Sequence, residues 1–296
     1  MTAVVNIYVL ERFSTTDTKA RKMHELAEHG RNDSLRDEIK AYWSGRAATF
    51  DLSPGHEIFS DIEREAWHAL VLKHLGPGDG RAALDLASGT GVISHLMDDL
   101  GYRVTGMDWS EDMLQLARAK AKTRGRNIRF FVGDAERTME PDESADVIIT
   151  RHLVWTLVDP KASFEEWFRV LKPGGRLLII DGDFVNTGLR ERLVKKLAAI
   201  LERTGFIKAD QPHRPADSAN TFNSILSRVY FAKGARAPDV AALLRGTGFM
   251  PVTIDQDLRA IHRAQAKNFT FFKSVLRGLQ HRYAVVAVKP DTSLKA

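Results

Sequence analysis

Cysteine is missing from the 296-residue chain, which rules out disulfides, thiolate metal sites, cysteine-held iron–sulfur clusters and a cysteine nucleophile within it. Long apolar runs are missing too. Crossing a bilayer takes roughly 18 or more nearly uninterrupted apolar residues, and none occurs, so a soluble, cytoplasmic protein with no membrane partner is expected. Two phosphate-binding signatures are also absent. No G-x-x-x-x-G-K-[ST] cradle occurs, and Val92 stands where the third glycine of a dinucleotide G-x-G-x-x-G would fall.

What is present is an ordinary globular composition, 44% apolar and 27% charged with net charge +5, enough for one large domain. Charge is uneven: from Leu189 onward 19 Lys and Arg face eight Asp and Glu. The basic residues are scattered among apolar helix positions, so nucleic acid is not the expected partner. Val4–Leu10 is apolar but lacks a positive flank before it and a small-residue cleavage site after it; residues 1–30 read as an N-terminal extension and 31–296 as the functional domain.

Asn32 or Asp33 can cap a short helix running to about Trp43, and Ser60-Asp61-Ile62-Glu63 is a capping box opening a second, with Ile62, Trp67, Leu70, Val71 and Leu75 at helical spacing. After the Pro77–Gly80 stop a regular alternation begins. Strands are expected at 82–87, 103–108, 128–134, 146–151 and 176–181, with helices between them, then helices near 189–203 and 238–245 and late strands near 251–255 and 283–289. Repeated crossovers of this kind imply a parallel sheet covered on both faces.

In such sheets ligands bind beyond the carboxyl ends of the strands, and chemistry-bearing residues collect there. The first strand ends in Asp85-Leu86-Ala87-Ser88-Gly89-Thr90-Gly91, the second in Asp108, the third in Gly133-Asp134-Ala135 and the fourth in Arg151-His152-Leu153-Val154-Trp155; Leu171-Lys172-Pro173-Gly174-Gly175 precedes the fifth. In order and spacing these resemble the motifs of the class I S-adenosylmethionine-dependent methyltransferases, in particular the broad group acting on small molecules, over residues 40 to 185. The one departure is Ala87, where the family usually has its first glycine.

That resemblance implies an α/β fold: a Rossmann-like, doubly wound seven-stranded sheet with the last strand antiparallel, an N-terminal helical cap at 31–76, and substrate-side insertions at 204–236 and 258–281. It implies S-adenosyl-L-methionine as cofactor. Asp85, Ala87, Ser88, Gly89 and Gly91 would shape the methionine side, Asp108 would take the ribose hydroxyls, and Asp134 with the Ala135 amide would recognise adenine between Trp109 and Met113. The Arg151 carbonyl would face the cofactor amine. Tyr42 or Arg46, in the segment that folds over the cofactor, would hold the methionine carboxylate, since a fork of fixed donors suits it; a surface helix with an aromatic anchor explains the same residues.

On the acceptor side His152, and His56 if the cap closes, are candidates for a general base, though a loop-capping role serves His152 equally. Trp155, Arg259 and His262 are expected to contact the acceptor, with Arg263, Phe269, Phe271 and Phe272 in the same connection. The expected reaction is in-line transfer of a methyl group to an O, N or S nucleophile of a small metabolite. A nicotinamide-dependent oxidoreductase and a catalytically silent cofactor-binding domain are the competing readings. Oligomeric state is left open.

Overall fold

A computed structural model describes residues 34–53, 55–207 and 218–291. The proposed caps Asn32 and Asp33 and the extension 1–30 lie outside them. The helix they would open, α1, runs over residues 34–44. It is followed by α2 (Ala47–Phe50) and α3 (Asp61–Leu75). Ser60 caps α3 by accepting from the Glu63 amide at 3.2 Å, and Glu63 reaches back to the Phe59 amide at 3.4 Å. Ile62, expected on the apolar stripe, is 56% exposed, whereas Glu63 is fully buried. The inward face of α3 is therefore set by Trp67, Leu70, Val71 and Leu75, and the first turn is turned by what Glu63 binds.

The alternation then unfolds as β1 (Ala82–Leu86), α4 (Val92–Asp99), β2 (Arg103–Asp108), α5 (Glu111–Thr123), β3 (Arg129–Val132), β4 (Ala145–Arg151), a 3-10 turn (Val154–Thr156), α6 (Pro160–Val170) and β5 (Leu171–Gly182). Ser110 caps α5, its Oγ accepting from Met113 N; Asp159 caps α6 the same way and Pro160 fills its first position. β5 starts five residues before the expected strand. Leu171 pairs with Ala145 before the Pro173-Gly174-Gly175 segment shifts the register, and Gly174 takes the left-handed conformation at φ +74°.

The chain continues through α7 (Leu189–Arg203), α8 (Ser218–Leu226), α9 (Ala237–Thr247), β6 (Val252–Asp255), α10 (Arg259–Ala266), α11 (Phe271–Leu279) and β7 (Arg282–Val288). The seven strands order as β3-β2-β1-β4-β5-β7-β6. β1 to β5 are parallel, and β7 runs antiparallel to both β5 and β6. This is the doubly wound architecture expected from the motifs. One apolar cluster packs α6 and α9 against one face of the sheet and a second packs α3 and α4 against the other, so the central strands are apolar on both sides. No described helix is long and apolar enough to cross a membrane.

The topological consequence matters for function. Because β7 is antiparallel, it begins where its neighbour ends, and Gly182 pairs with Arg282. The first residues of β7 thus join the carboxyl ends of β1, β2, β4 and β5 on one rim.

Candidate active site

A cavity of about 420 Å³ opens over that rim, within the range of small-molecule sites. At one end Asp108 closes β2. Its carboxylate accepts from the Gly89 amide at 2.8 Å and the Ser110 amide at 2.9 Å, which ties the glycine turn to the start of α5. Burial pushes it up to about 6, while those amides pull it back. Trp109 and Met113 line the cavity beside it, and Asp134 and Ala135 line it after β3. Asp134 Oδ1 accepts from the Glu136 amide at 2.8 Å, an Asx-type turn that fixes the loop.

Glu136 was not singled out by the sequence, yet it organises this end. It is 5% exposed; it accepts from the amides of Val158 and Asp159 at 3.1 and 2.9 Å and from Ser163 Oγ at 3.3 Å. Arg36 of α1 reaches it at 3.3 Å and approaches Asp134 to 4.0 Å. A buried carboxylate so fully hydrogen-bonded is a fixed joint between α1, the loop after β3 and α6.

Ala87, Ser88 and Gly89 follow β1 along the cavity. Ala87 holds φ +54°, the conformation that makes glycine usual at such a turn. Gly91 lies outside the cavity: at φ +82° it caps α4, and a Cβ there would sit 3.0 Å from Phe130. Asp85 is 1% exposed and accepts from Ser94 Oγ at 2.6 Å; burial pushes it up to about 7.

Arg151 ends β4 with its guanidinium over Trp67, donating to the His56 carbonyl at 2.6 Å. His56 stacks on Phe50 at 4.2 Å. Its Nδ1 stands 3.1 Å from the Phe50 carbonyl, so that nitrogen carries the proton and Nε2 carries the lone pair. Burial, then the Arg151 charge, lower His56 to about 3.

Beyond Arg151 the backbone turns sharply. His152 takes φ +62°, a strained value for a non-glycine residue, held by its amide on Ile180 O and by Trp155 Nε1 on its own carbonyl at 2.9 Å. Its ring stands 6.3 Å from that of His56. Arg282 Nη2 lies 3.0 Å from His152 Nε2; a guanidinium can only donate, so Nε2 accepts and the proton sits on Nδ1. Burial, with the charges of Arg282 and Arg151 behind it, lowers His152 well below the ordinary histidine range. Phe184 stands edge-on to it at 5.7 Å, Trp155 lies 5.5 Å from Phe184 and Phe222 5.4 Å from Trp155, with Trp43 of α1 edge-on to Trp155 at 6.4 Å.

Four expected contacts fall elsewhere. Tyr42 is buried in a cluster with Leu35, Ile39, Ile225 and Val229, and Trp43 beside it lines the cavity instead; one residue around a helix turns a side chain by about a quarter circle. Arg46 is 3% exposed, with Nη1 3.5 Å from the Tyr42 hydroxyl, behind the wall. Arg259 is a surface residue paired with Asp257 at 2.7 Å. His262 is on α10 outside the lining. From the 258–281 connection the cavity receives Arg277 and Gln280, neither of which was anticipated; from 204–236 it receives Phe222. Among the described residues no cluster of His, Cys, Asp and Glu is arranged to hold a metal.

A family described as a methyltransferase domain matches residues 84–179. A demethylmenaquinone methyltransferase of Renibacterium salmoninarum is 29% identical over 245 residues, 78% of this chain and 93% of that one. A ubiquinone/menaquinone biosynthesis C-methyltransferase of Bdellovibrio bacteriovorus is 30% identical over 54% of this chain and 67% of its own length. Among solved structures, Haemonchus contortus phosphoethanolamine N-methyltransferase 2, in complex with phosphomonomethylethanolamine and S-adenosylhomocysteine, superposes with a TM-score of 0.60 at 18% identity, covering 86% of this chain and 60% of that one.

The donors present fit S-adenosylmethionine. Asp85 and Asp108 bring two carboxylates to the cavity beside the glycine turn, and the Ser88 hydroxyl and Arg151 Nη1 are buried with no hydrogen-bond partner among the described residues. Motifs, topology, cavity and relatives converge: the chain belongs to the class I S-adenosylmethionine-dependent methyltransferases, enzymes of small-molecule methyl transfer that use this cofactor.

Proposed function

We propose that the enzyme methylates a small acceptor carrying a flat ring, held between the aromatic walls at the His152 end of the cavity. The observation that carries this reading is the continuity of one cavity from Asp108 and Asp134, over the strands that take the cofactor, to His152, Trp155, Phe184 and Phe222. Rings prefer edge-on and offset contacts with other rings, and this end offers four aromatic surfaces. The relatives' names point the same way, since demethylmenaquinone is itself a ring compound; the acceptor atom here is an O, N or S substituent or an activated ring carbon.

When bound, S-adenosylmethionine supplies an electrophilic methyl group on a sulfonium. The chain's part is to hold and orient. Asp108 accepts from the ribose hydroxyls, Asp134 and the Ala135 amide recognise adenine between Trp109 and Met113, Asp85 and the Arg151 carbonyl take the ammonium, and the Arg151 side chain, with its unpartnered Nη1, takes the carboxylate in place of Tyr42 or Arg46. Aromatic walls exclude water and fix the acceptor opposite the methyl group, where proximity and alignment supply much of the acceleration.

His152 contacts the acceptor and orients Arg282. It is a poor general base, because its Nε2 lone pair is already engaged and a base works best with a pKa near the operating pH. His152→Ala should lower kcat about tenfold or more with S-adenosylhomocysteine affinity unchanged. His152→Asn, which tolerates the left-handed backbone and can still accept from Arg282, should recover most of the rate. Equal loss in both variants would give the ring itself the role. The broader reading is tested by incubating the enzyme with methyl-labelled cofactor and a panel of hydroxylated ring compounds. Cofactor binding without any labelled product would favour the silent-domain reading.

A further inference from the structure

Three guanidiniums line one end of the cavity, with carboxylates of the chain near enough to act on them but none in a salt bridge among the described residues. Arg151, Arg277 and Arg282 all line it. Among the described residues none is held in an ion pair, and Arg151 Nη1, Arg277 Nε and Arg282 Nε are buried without a hydrogen-bond partner. Arg282 is 8% exposed and stacks over Phe184 with its Cζ 5.5 Å from the ring. Burial holds Arg277 down to about 10, with the Arg151 charge adding to the effect. Unpaired buried charge is among the costliest arrangements in a protein, so its persistence at a cavity wall points to a partner that arrives from outside.

The surroundings are built to keep Arg277 in place. Its Nη2 donates to Gln265 Oε1 at 3.2 Å, and Gln265 Nε2 donates to Glu63 Oε1 at 2.8 Å, so the half-buried Arg277 is tied through two buried side chains from α11 to α10 and α3. Gly55 gives it room: a Cβ there would stand 2.5 Å from Arg277 Nη2. Arg282 is held from the other side by His152 Nε2. The groups facing the pair are Asp181, whose carboxylate is spent on the Val154 and Gly182 amides, the uncharged His56, His152 and His262, and Arg151. Glu63 faces Arg277 across Gln265, its Oε1 taken by Gln265 Nε2 and Trp67 Nε1, and among the described residues no carboxylate forms a salt bridge with either arginine.

We propose that Arg277 and Arg282 form an anion-binding subsite for the methyl acceptor, which binds with a negatively charged oxygen, a phenolate, enolate or carboxylate, directed at the two guanidiniums. The sheet order separates this pair from the cofactor's own carboxylate. The proposed cofactor-binding residues follow β1 to β4, with Arg151 at the end of β4 nearest the methionine carboxylate, whereas Arg282 opens β7, two strands beyond β4, roughly 10 Å at the usual strand spacing. Charge reinforces the assignment. The cofactor itself brings a net positive charge, so occupancy of its site deepens the need for an anion at the far end. An acceptor that binds as a phenolate or enolate has also already lost the proton that neither histidine is poised to take.

This inference rests on the methyl-transfer reading, and its test separates the two. The enzyme, first titrated calorimetrically with S-adenosylhomocysteine, is then titrated with para-nitrophenolate in mildly alkaline buffer and, separately, with its neutral methyl ether, para-nitroanisole. The phenolate should bind the loaded enzyme about tenfold or more tightly than the ether. Arg282→Met and Arg277→Met should each abolish that preference while leaving S-adenosylhomocysteine affinity within about twofold. Each should also raise the thermal midpoint of the free enzyme, because an uncompensated buried charge is gone. Absence of preference in the unmodified enzyme overturns the subsite whether or not the variants fold. Loss of cofactor affinity with the preference retained would assign the arginines to the methionine carboxylate, and failure of S-adenosylhomocysteine itself to bind would overturn the methyl-transfer reading beneath it.

Discussion

The proposed cofactor site is tested most directly at Asp108. Replacing it with Ala removes the acceptor for two ribose hydroxyls and frees the Gly89 and Ser110 amides it now holds; hydrogen bonds to a charged group are worth about 1.5–3 kcal/mol, so S-adenosylhomocysteine should bind at least about tenfold more weakly in calorimetry. The same residue sets a pH dependence. In the free enzyme burial raises Asp108 to about 6 and Asp85 to about 7; the ionised carboxylate accepts from both hydroxyls and does so more strongly than the protonated acid, and it alone pairs with an ammonium. Affinity should therefore rise as pH increases from about 5 towards 7.5 and then level off; Asp108→Asn should flatten the lower part of the curve, and an affinity that falls over this range would contradict the assignment. The places of Asp85, Asp108 and Asp134 on the cavity were legible because each lies at or just past the carboxyl end of a strand in a fixed motif order. Tyr42 and Arg46 were not placed correctly, because helical spacing defines a face only once the neighbouring helix is known.

At the scale of elements, the adenine-side loop is held by the helix behind it. Trp167 of α6 is fully buried and its Nε1 donates to the Ala135 carbonyl at 2.7 Å. Trp167→Phe keeps most of the packing but leaves that carbonyl unpaired, which should cost about 1–3 kcal/mol of stability and weaken S-adenosylhomocysteine binding through the displaced loop; denaturant unfolding and calorimetry on one sample measure both, and a stability loss without any change in affinity would uncouple helix from loop. The cap at Ser60 was readable from its capping box, and those at Ser110 and Asp159 obey the same local rule. The early start of β5 was hidden by Pro173-Gly174-Gly175, which reads as a break although the strand pairs on both sides of it. Ile62 misled for a similar reason: its place on the apolar stripe of α3 belongs to Glu63, which Trp67 and Gln265 satisfy from within the core.

For the molecule as a whole, the cavity's roof comes from segments far apart in sequence. Trp43 of α1 and Phe222 of α8 line it, and Leu35 and Ile39 of α1 cluster with Ile225 of α8 and with Val229 just beyond it. Ligand that binds between roof and sheet should tie the two together. At a hundredfold excess over its Kd, S-adenosylhomocysteine should add about 2.7 kcal/mol of stability, and amide exchange should slow in residues 34–44 and 218–226 as well as in the glycine turn; protection confined to the turn would mean that the roof stays uncoupled. By itself the sequence determined the alternation of strands and helices, the order of motifs on the carboxyl rim and the cofactor they serve, because each depends on neighbours a few residues apart. Only the tertiary structure decided the acceptor end. Arg277, Arg282, Phe184 and Phe222 lie on separate elements whose convergence depends on β7 running antiparallel beside β5, and no local pattern of residues encodes which distant side chains a sheet edge brings together.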